Sequence, residues 1–107
     1  MMRTINVGLI GLGTVGSGVV EIFGKHREDF IRRAQVDIRL SRFADRSKER
    51  FSALGLPLDR CHTDWRAVVE DPEIDVVIEL IGGTGVAREV VFASLDAGKS
   101  VVTANKA

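Results

Sequence analysis

The 107-residue chain contains one cysteine, no tyrosine and no excess charge of either sign. The lone thiol, Cys61, excludes an internal disulfide framework and suits a reducing compartment. Fifteen basic residues balance fifteen acidic ones, so no net field draws the chain to nucleic acid or anionic lipid. Nor is there a long block of one charge, since KHRED and DRSKER are mixed. No apolar run reaches the ~20 residues that a membrane span needs. The N-terminal MMRTINVGLIGLG sets Arg3 before an apolar stretch, but Gly8, Gly11 and Gly13 interrupt it and no small-residue cleavage site follows. His26, His62 and Cys61 lack metal-site spacing and form no nucleophile–base pair, so no metal is expected. Repeats, low-complexity runs and internal linkers are missing as well. The expectation is one cytoplasmic domain with no nucleic-acid or membrane partner.

What is present alternates between two periods. INVGLI (5–10) is a short apolar run of the kind buried on both faces of a sheet. From Thr14 the spacing turns helical, with Val15, Val19, Ile22 and Phe23 as the apolar stripe and Gly24 as a point where the helix could break. VDIRLSRFA (36–44) is a second strand whose Phe43 falls out of parity with Val36, Ile38 and Leu40, the signature of a bulge or of burial on both sides. Ser47 is placed to cap the short helix KERFSAL, and WRAVVED (65–71) forms another, started by Thr63 or Asp64 and with Trp65 inward. DVVIELI (75–81) is a strand, 85–97 a helix closed by Gly98, and SVVTA (100–104) a last strand. Strands separated by helices require right-handed crossovers. The fold class is therefore α/β, a doubly wound parallel sheet of Rossmann type in three α/β/α layers.

The chemistry concentrates at strand ends. GLGTVG places Gly11, Gly13 and Gly16 between the first strand and first helix, with Thr14 and Val15 opening that helix. Gly11 permits the tight turn, Gly13 lets backbone approach a pyrophosphate, and Gly16 lets helix and strand pack closely. Free amides at the helix start then face the anion, aided by the dipole. Asp45 ends the second strand, where an acidic residue holds the adenosine ribose, though it lies further after Gly16 than the ~20 residues usual. Asp45 favours NAD, whereas Arg46 could clamp the 2′-phosphate of NADP. Gly82 and Gly83 either admit the ribose or nicotinamide or simply turn the chain. Glu79 lies near the same edge, equally consistent with a structural role.

Thr103, Asn105 and Lys106 leave the last strand at that cofactor edge. A lysine there can stay cationic and polarise a carbonyl oxygen during hydride transfer. On spacing alone, Lys106 reads as a solubilising surface charge.

Taken together, INVGLIGLGTVGSGVV, DVVIELIGG, AREVV and AGKSVVTANKA resemble the nucleotide-binding domain of the homoserine dehydrogenases. The resemblance spans the chain in order and is most specific at its two ends. It implies interconversion of aspartate 4-semialdehyde and homoserine with NAD or NADP, on the route to threonine and methionine. It further implies that Gly11, Gly13, Thr14, Val15 and Gly16 hold the pyrophosphate. Gly82, Gly83, Thr103 and Asn105 would neighbour the nicotinamide riboside, and Lys106 would be the active-site lysine. Many members carry an arginine just before the aspartate of the second strand. Here Ala44 stands there and Arg46 follows, so coenzyme preference does not carry over. Residues 1–107 are expected to form the cofactor domain alone, truncated from a substrate and dimerisation domain of a parent that is a homodimer or larger. Such a fragment would bind cofactor without turnover. Two other readings share the fold: a non-catalytic dinucleotide sensor, and a related reductase of another small carbonyl substrate.

Overall fold

A computed structural model of the chain describes residues 3–81 and 85–103. Five parallel strands form one sheet in the order β3-β2-β1-β4-β5. They are β1 (Arg3–Ile10), β2 (Val36–Ala44), β3 (Cys61–His62), β4 (Val76–Glu79) and β5 (Ser100–Thr103). The helices are α1 (Thr14–Ala34), α2 (Lys48–Ala53), α3 (Arg66–Val69) and α4 (Gly85–Asp96). The strand order reverses direction between β1 and β4. The carboxyl ends of the strands diverge there into a crevice, where such sheets bind ligands.

Two apolar clusters lie on opposite faces of the sheet. On one face Leu9, Leu12 and Phe43 pack with Phe51 of α2 and with Val19 and Val20 of α1. On the other, Ile10, Ala44 and Val77 pack with Val68 and Val69 of α3 and Val90 of α4. Leu9 and Ile10 are adjacent, so they point to opposite faces, and both are buried. That explains why β1 reads as an unbroken apolar run. Gly8 is required for a different reason: a Cβ there would overlap Cγ1 of buried Val68.

The anomaly at Phe43 resolves as a bulge. Val7 pairs with Leu40 but Gly8 pairs with Arg42, leaving Ser41 as the additional residue. The insertion shifts the alternation by one, so Leu40 and Phe43 both face the α1 layer. Ser41 donates its hydroxyl to Asn6 Oδ1 at 2.8 Å. Gly98 adopts φ 78° and closes α4 as expected. Beyond it, the buried Lys99 ammonium donates to the carbonyls of Asp71 and Ile74, both at 2.7 Å, and so secures the approach to β4.

Several expectations are corrected. α1 runs unbroken past Gly24 for 21 residues. Its stripe includes Val19 and Val20, whereas Val15 and Ile22 are exposed. The rotation is fixed at Gly16, which is pressed so closely on the Gly11 carbonyl that a Cβ would overlap the oxygen. With Gly16 inward, residues three and four positions on also point in, and Val15 and Ile22 do not. β3 was not anticipated, because two residues pairing with Phe43 and Ala44 carry no readable period. β4 ends at Glu79 rather than at residue 81. α3 begins at Arg66, with Trp65 in the cap position and Asp64 Oδ1 accepting the Arg66 amide at 3.0 Å. Ser47 occupies the N-cap of α2, but its hydroxyl donates to Glu49 instead of accepting a helix amide.

Candidate functional site: the crevice at the strand ends

The turn from β1 to α1 is held from two sides. Gly11 has φ 102°, and its amide donates to the Ala44 carbonyl at 2.8 Å. A Cβ on Gly11 would come within 2.9 Å of the Leu80 carbonyl carbon. Gly11 and Gly16 are therefore both required by the chain's own packing. Gly13 is not. It has φ −70°, and the nearest atom a Cβ would meet is the mobile end of Arg50, at 3.8 Å. Its bare backbone lines the crevice. Just beyond it, the first-turn amides have no intrahelical acceptor. Ser17 is the residue whose amide reaches back onto the Gly13 carbonyl, at 2.8 Å.

Asp45 stands at the end of β2 as expected, and its nearly buried carboxylate is already engaged. Oδ2 accepts the Leu12 amide at 2.7 Å and an Arg50 guanidinium N–H at 3.1 Å, while Oδ1 accepts the Ser47 amide at 2.8 Å. Burial pushes its pKa up. The hydrogen bonds from Ser47, Leu12 and Arg50 outweigh that and hold the carboxyl below its ordinary value. The side chain thus staples the glycine turn to the end of β2. Arg46 is exposed at the crevice wall.

The crevice has a volume of about 730 Å³. Gly11, Gly13 and Asp45 line one side, with Trp65, Ile81 and Val86 on the other. Arg46, Arg50 and Arg66 line it together with the carboxylates of Asp45 and Glu89, Arg50 being paired with Asp45, and the Arg66 guanidinium lies 4.7 Å over the Trp65 ring. The sequence reading had Trp65 as core only. It does pack against the core, and it lines the crevice too. Arg50 was missed because its contact with Asp45 depends on α2 folding back over the strand end.

Glu79 is wholly buried at the end of β4. Its Oε1 accepts the Ile81 amide at 2.6 Å and its Oε2 the Thr103 hydroxyl at 2.5 Å. Thr103 is thereby tied to the exit of β4. Gly82, Gly83, Asn105 and Lys106 lie outside the described residues. The Cys61 thiol is pushed up in pKa by burial and by Asp59, and it donates to the Pro57 carbonyl at 3.3 Å. Among the described residues no group of three or more His, Cys, Asp or Glu is arranged to hold a metal, and no helix is long and apolar enough to cross a membrane.

A dinucleotide fits this arrangement, because the one glycine of the turn that the protein's own packing does not require leaves its missing Cβ on the crevice wall. The family model for the homoserine dehydrogenase NAD-binding domain matches residues 11–107. The chain belongs to the homoserine dehydrogenase family. It is 48% identical over 107 residues to a homoserine dehydrogenase of Methylobacillus glycogenes, covering 99% of this chain and 26% of that one. The Bacillus subtilis homoserine dehydrogenase is 38% identical over 105 residues, covering 98% and 24%. A solved homoserine dehydrogenase from Thiobacillus denitrificans superposes with a TM-score of 0.89 at 48% identity, covering 98% of this chain and 24% of that one. A levoglucosan dehydrogenase in complex with NADH superposes at 0.77 with 25% identity, covering 94% and 27%. The chain spans about a quarter of the length of the homoserine dehydrogenases it matches. It is an NAD-binding domain of that family, with the Rossmann-type α/β fold expected from its sequence.

Proposed function

We propose that this domain holds NAD or NADP for hydride transfer between aspartate 4-semialdehyde and homoserine. The amino-acid side of the cleft would come from the part of the family's polypeptide that these residues do not span. The observation that carries the reading is Gly13: bare backbone facing a crevice, without a structural need for glycine. Gly13 and the first-turn amides of Thr14, Val15 and Gly16 receive the pyrophosphate, assisted by the positive end of α1. Asp45 fixes the turn and offers its remaining acceptor capacity to the adenosine ribose, while Arg46 stands where a 2′-phosphate would be met. When bound, the reduced nicotinamide supplies the hydride. By resemblance, Gly82, Gly83, Thr103 and Asn105 would neighbour its riboside, and Lys106 would stabilise the developing alkoxide with its positive charge. Because donor and acceptor carbons must be held at near-attack distance, these 107 residues alone bind without turning over.

Titration with NADH and NADPH tests this, read through the fluorescence of Trp65, the chain's one tryptophan. Saturable quenching is expected. Asp45→Ala should lose NADH binding, and Arg46→Ala should weaken NADPH selectively. No saturable binding of either coenzyme by the folded chain would refute the proposal. Steady oxidation of homoserine by the isolated chain would refute the division of labour.

A further inference from the structure

The crevice holds an acidic group that cannot turn away from a ligand. Oδ2 of Asp45 accepts the Leu12 amide at 2.7 Å and Oδ1 the Ser47 amide at 2.8 Å, so both oxygens are anchored on backbone. The side chain is 7% exposed. Its carboxyl is held below the ordinary value and is therefore ionised at neutral pH. Glu89, which also lines the crevice, belongs to α4 and not to the end of β2. A carboxylate fixed at the end of β2 suits the free hydroxyls of an NAD ribose. It opposes NADP, whose 2′-phosphate brings about −1.5 to −2 charges at pH 7 to the same place. Like charges a few ångströms apart in a partly desolvated site repel strongly.

One cation is positioned to remove that conflict. Arg50 donates from Nη1 to Asp45 Oδ2 at 3.1 Å. The same Nη1 stands 3.8 Å from where a Cβ on Gly13 would lie, so the guanidinium overhangs the crevice. Its backbone is held independently of that pair. The Arg50 amide donates to the Ser47 carbonyl at 3.2 Å, and the next residue, Phe51, is buried in the core.

The other two arginines of the crevice are placed differently. Arg66 pairs with Asp64 at 3.3 Å and lies over the Trp65 ring. Arg46 lines the wall, but the Asp45 carboxylate takes its guanidinium hydrogen bond from Arg50. Arg50 spends one of its five N–H donors there, and its side chain is half exposed.

We infer that Arg50 sets the coenzyme range of this domain: its charge cancels that of Asp45 and so lets a 2′-phosphate sit beside the carboxylate. The inference rests on the coenzyme site proposed above and adds a division of labour to it. Arg46 meets the 2′-phosphate directly, whereas Arg50 is a positioning residue that acts through Asp45. NADH, which lacks that phosphate, depends little on Arg50.

Dissociation constants of NADH and NADPH, read through Trp65 fluorescence, test this in Arg50→Met, which keeps an unbranched apolar stem without the charge. NADPH affinity should fall about tenfold or more, and NADH affinity by less than about threefold. Adding Asp45→Asn to Arg50→Met should restore most of the lost NADPH affinity, because the charge that needed cancelling is gone. A folded double variant without that recovery would overturn the inference. Arg50→Lys leaves the backbone bonds of Asp45 in place and covers the case in which Asp45→Asn unfolds the turn. It should retain most of the NADPH affinity, and a loss as complete as in Arg50→Met would overturn the role of charge. Equal losses of both coenzymes in Arg50→Met would also overturn it, making Arg50 a ligand of the diphosphate they share. If neither coenzyme binds the unsubstituted chain, the coenzyme site itself falls and this inference with it.

Discussion

The carboxylate of Glu79 accepts the hydroxyl of Thr103 at 2.5 Å, joining the exits of β4 and β5. Glu79 has no exposure at all, and its other oxygen is taken by the Ile81 amide. A buried carboxylate is tolerated only when its lone pairs are met. Both strand ends that lead toward the candidate active-site segment are therefore set by one side chain.

Thr103→Val removes one of those donors while keeping the shape. The cost expected is about 1–3 kcal/mol, measured by urea unfolding, because a buried acceptor loses a hydrogen bond. Glu79→Gln should be milder, since an amide keeps an acceptor for Ile81. If Thr103→Val unfolds at the wild-type midpoint, the pair does not fix the strand ends.

The glycines of the turn should separate stability from binding. Gly13→Ala places a methyl in open crevice, so the unfolding free energy should fall by less than about 1 kcal/mol while NADH affinity drops at least tenfold. Gly16→Ala drives a Cβ into the Gly11 carbonyl and should cost about 1–3 kcal/mol or more before any ligand is added. Unaltered NADH affinity in Gly13→Ala would remove the main support for the pyrophosphate site.

Gly8→Ala creates an overlap with Val68 Cγ1, where both backbone and partner are buried. A loss of roughly 1–3 kcal/mol is expected in chemical denaturation. Pairing it with Val68→Ala should recover part of that loss, a non-additivity that a double-mutant cycle measures directly.

Asp37 should contribute to the acid limb of stability. Its carboxylate takes two hydrogen bonds from Arg27, at 2.9 and 2.8 Å, and one from Arg39 at 2.6 Å. The Arg27 guanidinium leads in lowering its pKa to about 2. The unfolded value is near ~3.9, so the folded state binds the proton less readily. Its stabilisation is complete above roughly pH 4 and is lost as pH falls toward 2. Asp37→Asn should be less stable than wild type at pH 7, and the gap should close between pH 4 and 2. A constant gap across that range would mean that ionisation of Asp37 is irrelevant to folding.

The local sequence determined the fold class and the place of the glycine turn. Period 2 and period 3.6 are properties of neighbouring residues, and Gly11, Gly16 and Gly98 mark turns whose geometry their own stretch demands. Even the bulge was legible, because Phe43 breaks an alternation within nine residues of strand. Tertiary structure alone decided how α1 is rotated, that two residues at Cys61–His62 extend the sheet, and that Asp45 staples the glycine turn to the end of β2. It also decided that Arg50 and Trp65 share the crevice and that Glu79 meets Thr103. Each of these depends on strand register or on close helix approach between segments far apart in the chain. No periodicity within one segment carries that information, since a contact across a sheet is set by which residues the register places side by side.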